Sequence, residues 1–273
     1  MLIAFVNNKG GVGKSTLAVH AAAWLHERGQ RVILLDSDAQ ASSLHWIAKA
    51  QPDLRVVHLT DPRQIIEQAP RLQLACDVVI ADGPASLGGA TAALLSLAHR
   101  VILPVGPSML EVQATYQTVR TIYRVRFQVS TARKQDAFTV FNRVLPRTRL
   151  ARVAAAAIVK FGFPVAPTVL QLRQAYVEAG GLGSVVWRMG AGAASAAVEI
   201  TRLFETIFDS ESTRAVVDEQ TAALRRVNDA IILKQRTQTF SDLVTALPVD
   251  YASKYRISAP AARGEDEIVT EKC

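Results

Sequence analysis

The amino-acid stretch NNKGGVGKST, residues 7–16, directly follows a run of apolar residues at 2–6. A glycine-rich turn between a strand and a helix lets consecutive backbone N–H groups and the helix N-terminus converge on phosphate groups. The strict pattern of such a phosphate loop has glycine where this chain has Asn8, so the stretch is a variant of it. It also contains a second lysine, Lys9, five residues before the Lys14 that the pattern requires.

The loop predicts a binding site for ATP and Mg²⁺. Lys14 is expected to reach the β- and γ-phosphates, and Ser15 is expected to ligate Mg²⁺. Thr16 is expected to open the following helix beside the α-phosphate. The residues of the loop predicted to bind the nucleotide are Gly10, Gly11, Val12, Gly13, Lys14, Ser15 and Thr16.

The composition restricts the class of protein. The 273 residues, 49% of them hydrophobic, suffice for one sizeable core with a small appendage. No apolar run reaches the roughly 18 residues that a membrane-spanning helix needs, and the N-terminus lacks the layout of a secretory signal. Two cysteines, Cys76 and Cys273, are too few for a disulfide framework. These features favour a cytoplasmic protein.

Short apolar runs alternate with segments of helical periodicity. Several of the runs are apolar throughout, which is typical of parallel strands covered on both faces. The alternation predicts an α/β fold, a doubly wound and mostly parallel sheet flanked by helices, as in P-loop NTPases. Strands are predicted at 2–6, 31–35, 54–59, 77–81, 100–105 and 137–141. Helices are predicted at 15–28, 41–50, 62–69, 89–98, 109–126, 148–161 and 193–208.

The character of the sequence changes beyond Asp209. Residues 212–236 have the periodicity of one amphipathic helix, and the last residues are polar and non-periodic. The extension could pack on the preceding domain, extend a dimer or receive a partner protein. The expected organisation is an ATPase domain at 1–208, a helical C-terminal extension at 209–247 and a disordered tail at 248–273.

Aspartates follow two further predicted strands. In LLDSDAQASSLHW, residues 34–46, Asp36 and Asp38 leave the carboxyl end of a strand, the edge where doubly wound sheets place ligands. In VVIADGPA, residues 78–85, Asp82 ends an apolar strand, which is the layout of a Walker-B aspartate that helps to hold Mg²⁺. Phosphoryl hydrolysis needs acids both near the metal and near the attacking water, so these three residues are the candidates.

The loop KGGVGKST and the two aspartate motifs together resemble those of the ParA/MinD family of deviant-Walker ATPases, and most of all the short ParA proteins of the ParF kind. The resemblance covers residues 1–208. It implies that Lys9 reaches across an ATP-sandwich homodimer to the phosphates of the partner's nucleotide, as an arginine finger does. It also implies that Asp38 positions or activates the attacking water. The residues implied in catalysis are Lys9, Lys14 and Asp38, and those implied in metal binding are Ser15, Asp36 and Asp82.

Two other segments carry the same resemblance. VFNRV, residues 140–144, is similar to the strand end where Asn142 would meet the adenine. VILPVGPSMLEV, residues 101–112, is similar to a PxxPSPLD segment that lies near the dimer interface. The family often has proline where this chain has Ala39, so the loop that carries Asp38 is expected to be less rigid.

Positive charge is concentrated in the second half of the predicted domain. The formal net charge is +7, and eleven Lys/Arg but one acid, Asp136, lie between Arg120 and Arg173. Contacts from Lys and Arg to phosphates give affinity that is independent of sequence and sensitive to salt. The block therefore favours nonspecific DNA as a partner, with a solvated surface as the alternative. The residues first predicted to contact DNA are Arg147, Arg149, Arg152, Lys160 and Arg173, with Arg188 as a further candidate.

The resemblance leaves two functions open. In the first, the chain is a ParA-type partition ATPase that binds the nucleoid as an ATP-bound homodimer. A ParB-like or cargo-adaptor protein stimulates hydrolysis and so releases the dimer. The cargo moved in this way is a plasmid, a chromosome locus or a protein assembly. In the second, a MinD-like adaptor acts at membrane or protein surfaces without DNA. Membrane binding is disfavoured because MinD-like anchors are basic helices at the extreme C-terminus, whereas the last ten residues here, GEDEIVTEKC, are acidic.

Overall fold

The computed structural model describes residues 1–128, 136–145, 154, 157–158 and 161–209. Their strands are β1 (Leu2–Phe5), β2 (Val32–Asp36), β3 (Arg55–His58), β4 (Val78–Asp82), β5 (Arg100–Val105) and β6 (Asp136–Phe141). They form one sheet in the order β3-β2-β4-β1-β5-β6, and all neighbours are parallel. The predicted fold class, a doubly wound parallel sheet, is confirmed.

Helices cover both faces of this sheet. Within the described residues they are α1 (Lys14–His26), α2 (Ser42–Ala50), α3 (Pro62–Ala75), α4 (Gly89–Leu97), α5 (Met109–Gln128), α6 (Gln174–Leu182) and α7 (Ala194–Phe208). One core joins α3, α4 and α5 to one face, and a second core joins α1, α2, α6 and α7 to the other. Successive residues of β1 alternate between the two cores, which explains why the strand is apolar throughout. None of these helices is long and apolar enough to cross a membrane.

The predicted elements differ from the observed ones in two places. The helix predicted to end at residue 69 continues through Pro70 to Ala75. Pro70 is exposed, so water can satisfy the carbonyl group that loses its helical partner, while Ile65, Ala69 and Leu72 pack into the core on the opposite side. Helix α6 was not predicted, and most of the predicted helix at 148–161 lies outside the described residues, as does the chain beyond Asp209.

The strand order places the sequence motifs at one edge. Phe5, which precedes the glycine loop, pairs with Asp82, and Asp82 pairs with Asp36 on the other side. The carboxyl ends of β1, β4 and β2 are therefore neighbours, with the loop and the aspartates extending from the same edge of the sheet.

A buried histidine connects the first helix to the end of the domain. His20 is fully buried, its Nδ1–H donates to the carbonyl oxygen of Thr16 at 2.7 Å, and its Nε2 accepts from the amide of Val186 at 3.2 Å. The rings of Trp46 and Trp187 contact the imidazole edge to face. Burial lowers the pKa of His20 to about 4, so the ring is neutral at physiological pH.

The His20 pKa predicts a loss of stability in acid. The unfolded chain takes up a proton near the ordinary pKa of 6.5, whereas the folded chain excludes it until about pH 4. Compared with His20→Gln, which keeps a donor and an acceptor but does not titrate, the wild-type free energy of unfolding should fall by about 1.4 kcal/mol per pH unit across this range. Urea denaturation at pH 5 and pH 7 measures the difference. Exposed His45→Gln is the control, and an equal effect of both substitutions would contradict the assignment.

Candidate nucleotide-binding site

The loop after β1 has the backbone conformation of a phosphate-binding turn. Gly11 and Gly13 have φ values of +75° and +98°, a left-handed conformation that other residues rarely adopt. At Gly13 a Cβ atom would also lie 2.3 Å from Nδ2 of Asn142. No described side chain caps the start of α1, so the first N–H groups of this helix are available to a phosphate.

The two lysines of the loop are placed differently. Lys14 is 7% exposed, and its ammonium donates to the carbonyl oxygen of Lys9 at 3.4 Å. Burial lowers the pKa of Lys14, and the carboxylates of Asp82 and Asp38 oppose this shift. Lys9 is exposed, and within the part of the chain that the structure describes its ammonium has no hydrogen bond or ion pair. Lys14 is thus held inside the loop, whereas the ammonium of Lys9 is exposed, and the role of each lysine toward a nucleotide stays a prediction.

Asp82 is buried without a partner. Its carboxylate is fully buried at the end of β4, and neither oxygen accepts a hydrogen bond of acceptable geometry from the described residues. Burial raises the pKa of Asp82 to about 7; the nearby Ser15 hydroxyl opposes this shift, and the carboxylate of Asp36 adds to it. An unpartnered buried carboxylate beside a hydroxyl is a donor set that suits Mg²⁺, so Asp82 and Ser15 fit the predicted metal role.

Asp36 is buried too, but its carboxylate is engaged. Oδ2 accepts from the hydroxyl of Ser43 at 2.7 Å and from the amide of Leu44 at 2.9 Å, and Oδ1 accepts from the amide of Asp38 at 3.0 Å. These bonds tie the end of β2 to the first turn of α2. The observed role of Asp36 is therefore to hold the loop that carries Asp38, and its contribution to the metal's water shell stays a prediction.

Asp38 lies between the loops that follow β2 and β4. Its Oδ1 accepts from the amide of Gln40 at 3.0 Å, and its Oδ2 accepts from the amide of Ala85 at 3.3 Å. Its carbonyl oxygen accepts from Nε2 of His58 at 3.0 Å. These contacts hold the carboxylate at the edge of the site although residue 39 is alanine and not proline. The amides of Gln40 and Ala85 and the side chain of His58 therefore restrain this loop, which the sequence did not reveal.

Asn142 forms the border between the glycine loop and an open cleft. It is 6% exposed, and its Nδ2 donates to the carbonyl oxygen of Val12 at 2.8 Å. The cleft beside it has a volume of about 200 Å³. Residues that line it are Gly11, Gly13, Thr16, Leu17, Asn142, Arg143, Leu170, Gln171, Leu172, Arg173, Tyr176 and Val177. The position next to the phosphate loop is compatible with the predicted adenine contact, which stays a prediction.

The sequence reasoning missed Arg143 and Glu111. Arg143 has a positive φ of 59°, and its guanidinium donates to the carbonyl oxygen of Gly11 and pairs with Glu111 at 3.4 Å. Glu111 also accepts from the amide of Ser108, whose hydroxyl accepts from the amide of Glu111, which is a capping box at the start of α5. The spacing Ser-x-x-Glu in the sequence was a signal for this cap.

The residues predicted to contact DNA fall into two groups. Arg147, Arg149, Arg152 and Lys160 lie outside the described residues. Arg173 forms a bidentate pair with Glu199, and Arg188 pairs with Glu27 and donates to the carbonyl oxygen of Ala50. Both arginines therefore have structural partners, which reduces the charge they offer to a polyanion.

The fold and the site define a P-loop nucleotide-binding protein. The sheet is parallel with this strand order, a glycine loop follows its first strand, and an aspartate ends the neighbouring strand. Residues 3–186 match the family model of the CobQ/CobB/MinD/ParA nucleotide-binding domain, and this chain belongs to that family. The predicted resemblance to ParA/MinD proteins is confirmed.

Individual relatives agree with this assignment. The maintenance of carboxysome distribution protein A of Halothiobacillus neapolitanus is 34% identical over 215 residues, which cover 76% of this chain and 96% of that protein. An ATP complex of McdA from Cyanothece has a TM-score of 0.59 at 14% identity, covering 78% of this chain and 95% of that one. MinD from Pyrococcus horikoshii with Mg-ADP has a TM-score of 0.57 at 20% identity, covering 76% and 95%.

The chain is therefore a ParA/MinD-type ATPase. The predicted nucleotide agrees with the family, whose model is that of a nucleotide-binding domain. The McdA structure carries ATP and the MinD structure carries Mg-ADP. The described residues bring the loop, Asp36, Asp38, Asp82 and Asn142 together at one edge of the sheet. The roles of the individual residues follow from the geometry as proposals.

The burial of Asp82 predicts that Asp82→Asn stabilises the apoprotein and reduces the stabilisation by Mg²⁺. At pH 8 the buried carboxylate is mostly ionised and only partly compensated by Lys14 and Ser15, so Asp82→Asn should raise the free energy of unfolding of the nucleotide-free protein. The same substitution should remove most of the extra stability that Mg²⁺ adds in the presence of ADP. Chemical denaturation at pH 8, with and without Mg²⁺ and ADP, measures both effects. Exposed Asp61→Asn is the control, and an Asp82→Asn protein that keeps the full Mg²⁺ effect would contradict the metal role.

Proposed function

We propose that this chain is a ParA-type positioning ATPase whose ATP-bound homodimer binds nonspecific DNA and whose hydrolysis releases it. The observation that carries the proposal is Lys9, an exposed cation at the mouth of a site in which Lys14 already serves the interior. A site that binds nucleotide for its own sake needs one such lysine. The second is explained if it acts on the nucleotide of another subunit.

The residues of the site divide the work of hydrolysis. Lys14 and the N–H groups at the start of α1 bind the phosphates. When bound, Mg²⁺ supplies charge neutralisation at the phosphates, and Ser15 and Asp82 are the residues that would hold it. Asp38, fixed by the amides of Gln40 and Ala85, presents a carboxylate that orients the attacking water.

A dimer across this edge is supported by exposed apolar side chains. Leu172 and Val177 at the cleft are 49% and 64% exposed, and Leu110 in the first turn of α5 is 77% exposed. Apolar groups that surround a charged site favour a protein contact that excludes water from it. Because Lys9 would then complete the partner's site, ATP becomes part of the interface. Hydrolysis removes the γ-phosphate that Lys9 contacts, which weakens the dimer.

The cargo favoured by the comparisons is a protein assembly. The Halothiobacillus relative is matched over 96% of its length, and its name refers to the distribution of carboxysomes. We infer that this chain positions a large cytoplasmic body of that kind, with a plasmid or chromosome locus as the other possibility. In either case an adaptor on the cargo, ParB-like in role, stimulates hydrolysis.

DNA is the proposed surface along which the dimer distributes. The basic block at 120–173 supports this, since nonspecific affinity depends on the number of phosphates neutralised. It implies a nucleoid-associated location. A MinD-like adaptor that binds membrane in place of DNA is the alternative. Sedimentation with anionic liposomes, with ATP and without DNA, separates the two.

The proposed role of Lys9 predicts that Lys9→Ala abolishes ATP-dependent dimerisation and preserves nucleotide binding by the monomer. The reason is that the lost cation acts on the partner's phosphates, whereas Lys14 and the helix N-terminus remain in place. Light scattering with and without ATP measures the dimer, and a fluorescent nucleotide measures binding. Lys49→Ala removes an exposed lysine from α2 and is the control. A dimer of unchanged affinity in Lys9→Ala would refute the proposal.

The DNA proposal predicts that Arg149→Glu with Arg152→Glu weakens ATP-dependent DNA binding and lowers its salt slope, because fewer counterions are released. Fluorescence anisotropy with duplexes of unrelated sequence, at several salt concentrations, measures both quantities. Arg55→Glu with Arg63→Glu changes the net charge equally at exposed positions and is the control. Equal losses in both pairs would show that net charge, and not the 147–160 region, determines binding.

A further inference from the structure

Two buried threonines of α5 contact the residues that precede Lys9. Thr115 and Thr118 are fully buried and lie one turn apart on the same face of the helix. Their hydroxyls are bonded to Asn7 and Asn8, more than a hundred residues earlier in the chain. Such buried polar contacts are costly unless they are satisfied, and here each threonine hydroxyl both donates and accepts a hydrogen bond.

Asn7 links the loop to α5 and to the sheet. Its Nδ2 donates to the carbonyl oxygen of Pro104 at 2.7 Å and to Oγ1 of Thr115 at 2.8 Å. Its Oδ1 accepts from the amide of Lys9 at 3.0 Å. The hydroxyl of Thr115 donates to the carbonyl oxygen of Glu111 at 2.7 Å, so this oxygen is oriented to accept from Asn7. The amide of Lys9 is thereby tied to α5 through a single side chain.

Asn8 is held at two points by one hydroxyl. Its amide donates to Oγ1 of Thr118 at 3.0 Å, and Thr118 donates to its Oδ1 at 3.1 Å. Glycine at this position, as in the strict phosphate loop, would lack the second bond. The residue that departs from the pattern is therefore the one that attaches the loop to α5 immediately before Lys9.

We propose that Thr115 and Thr118 are positioning residues for Lys9 in the reaction between subunits, an inference that rests on the proposed function of Lys9. They fix the backbone of residues 7–9 and leave the ammonium of Lys9 free to extend. The reach of a flexible lysine is set by the position of its Cα atom, and small misplacements of a catalytic group cost large factors in rate. The helix thus determines where the cation meets the partner's phosphates.

The test replaces a hydroxyl by a methyl group of similar size. Thr118→Val should weaken dimerisation with a non-hydrolysable ATP analogue on the order of 10-fold, while the nucleotide affinity of the monomer changes by less than about 2-fold. Thr118→Ser, which keeps the hydroxyl, should restore dimerisation. The matched control is Thr121→Val on the same helix, whose hydroxyl bonds to the carbonyl oxygen of Gln117 and does not reach the loop.

A double-mutant cycle distinguishes positioning from a general effect on folding. If Thr118 acts through Lys9, Thr118→Val should cost less dimerisation in a Lys9→Arg background, which weakens the dimer without abolishing it, than in the wild type. Additive losses, or equal losses in Thr118→Val and Thr121→Val, would overturn the inference. An unchanged dimer in Lys9→Ala would instead overturn the proposed function, so the two failures are separable.

Discussion

The site depends on a buried carboxylate whose charge the protein compensates only in part, through Lys14 and Ser15. Asp82 is fully buried at the end of a central strand, and no described residue donates a hydrogen bond to it. A buried carboxylate without a partner is unfavourable, and folding tolerates it because the cores on both faces of the sheet supply the compensating stability. A cation bound at this position would therefore be stabilised by the Asp82 carboxylate, and it would supply the positive charge that the apoprotein lacks there. Metal and nucleotide binding is thereby prepared by the fold.

The surrounding contacts keep this edge in one arrangement. Asp36 joins β2 to α2, His58 and Ala85 hold the segment of Asp38, and Arg143 joins the glycine loop to the cap of α5. None of these contacts is strong by itself, since a typical hydrogen bond contributes about 1 kcal/mol net. Together they involve the loops that follow β1, β2, β4, β5 and β6, and the end of β3. Arg143 thus connects the phosphate loop directly to α5, whose first turn carries the exposed Leu110 at the proposed interface.

The sequence predicted the strands because they are apolar on both faces, and it predicted the site because a glycine loop and strand-ending aspartates are local patterns. It failed where the controlling contact is distant in the chain. The helix α3 continues through Pro70 because that residue faces water, and α6, with the sequence QAYVEAGGL, has two glycines that obscure its periodicity. The role of the threonines of α5 could not be foreseen, since their partners, Asn7 and Asn8, lie more than a hundred residues away in the chain.

His20 and Asp82 give the nucleotide-free domain opposing responses to pH. Acid favours unfolding through His20 between about pH 6.5 and pH 4, because only the unfolded chain takes up that proton. Over an overlapping range up to about pH 7, acid favours the folded state through Asp82, because its buried carboxyl binds a proton that the unfolded chain releases. The two slopes therefore offset each other in the apoprotein. A cation that holds Asp82 ionised removes the Asp82 contribution. The stability of the domain with metal and nucleotide bound should therefore be more sensitive to acid than that of the apoprotein. Acidification should also favour release of the ligand.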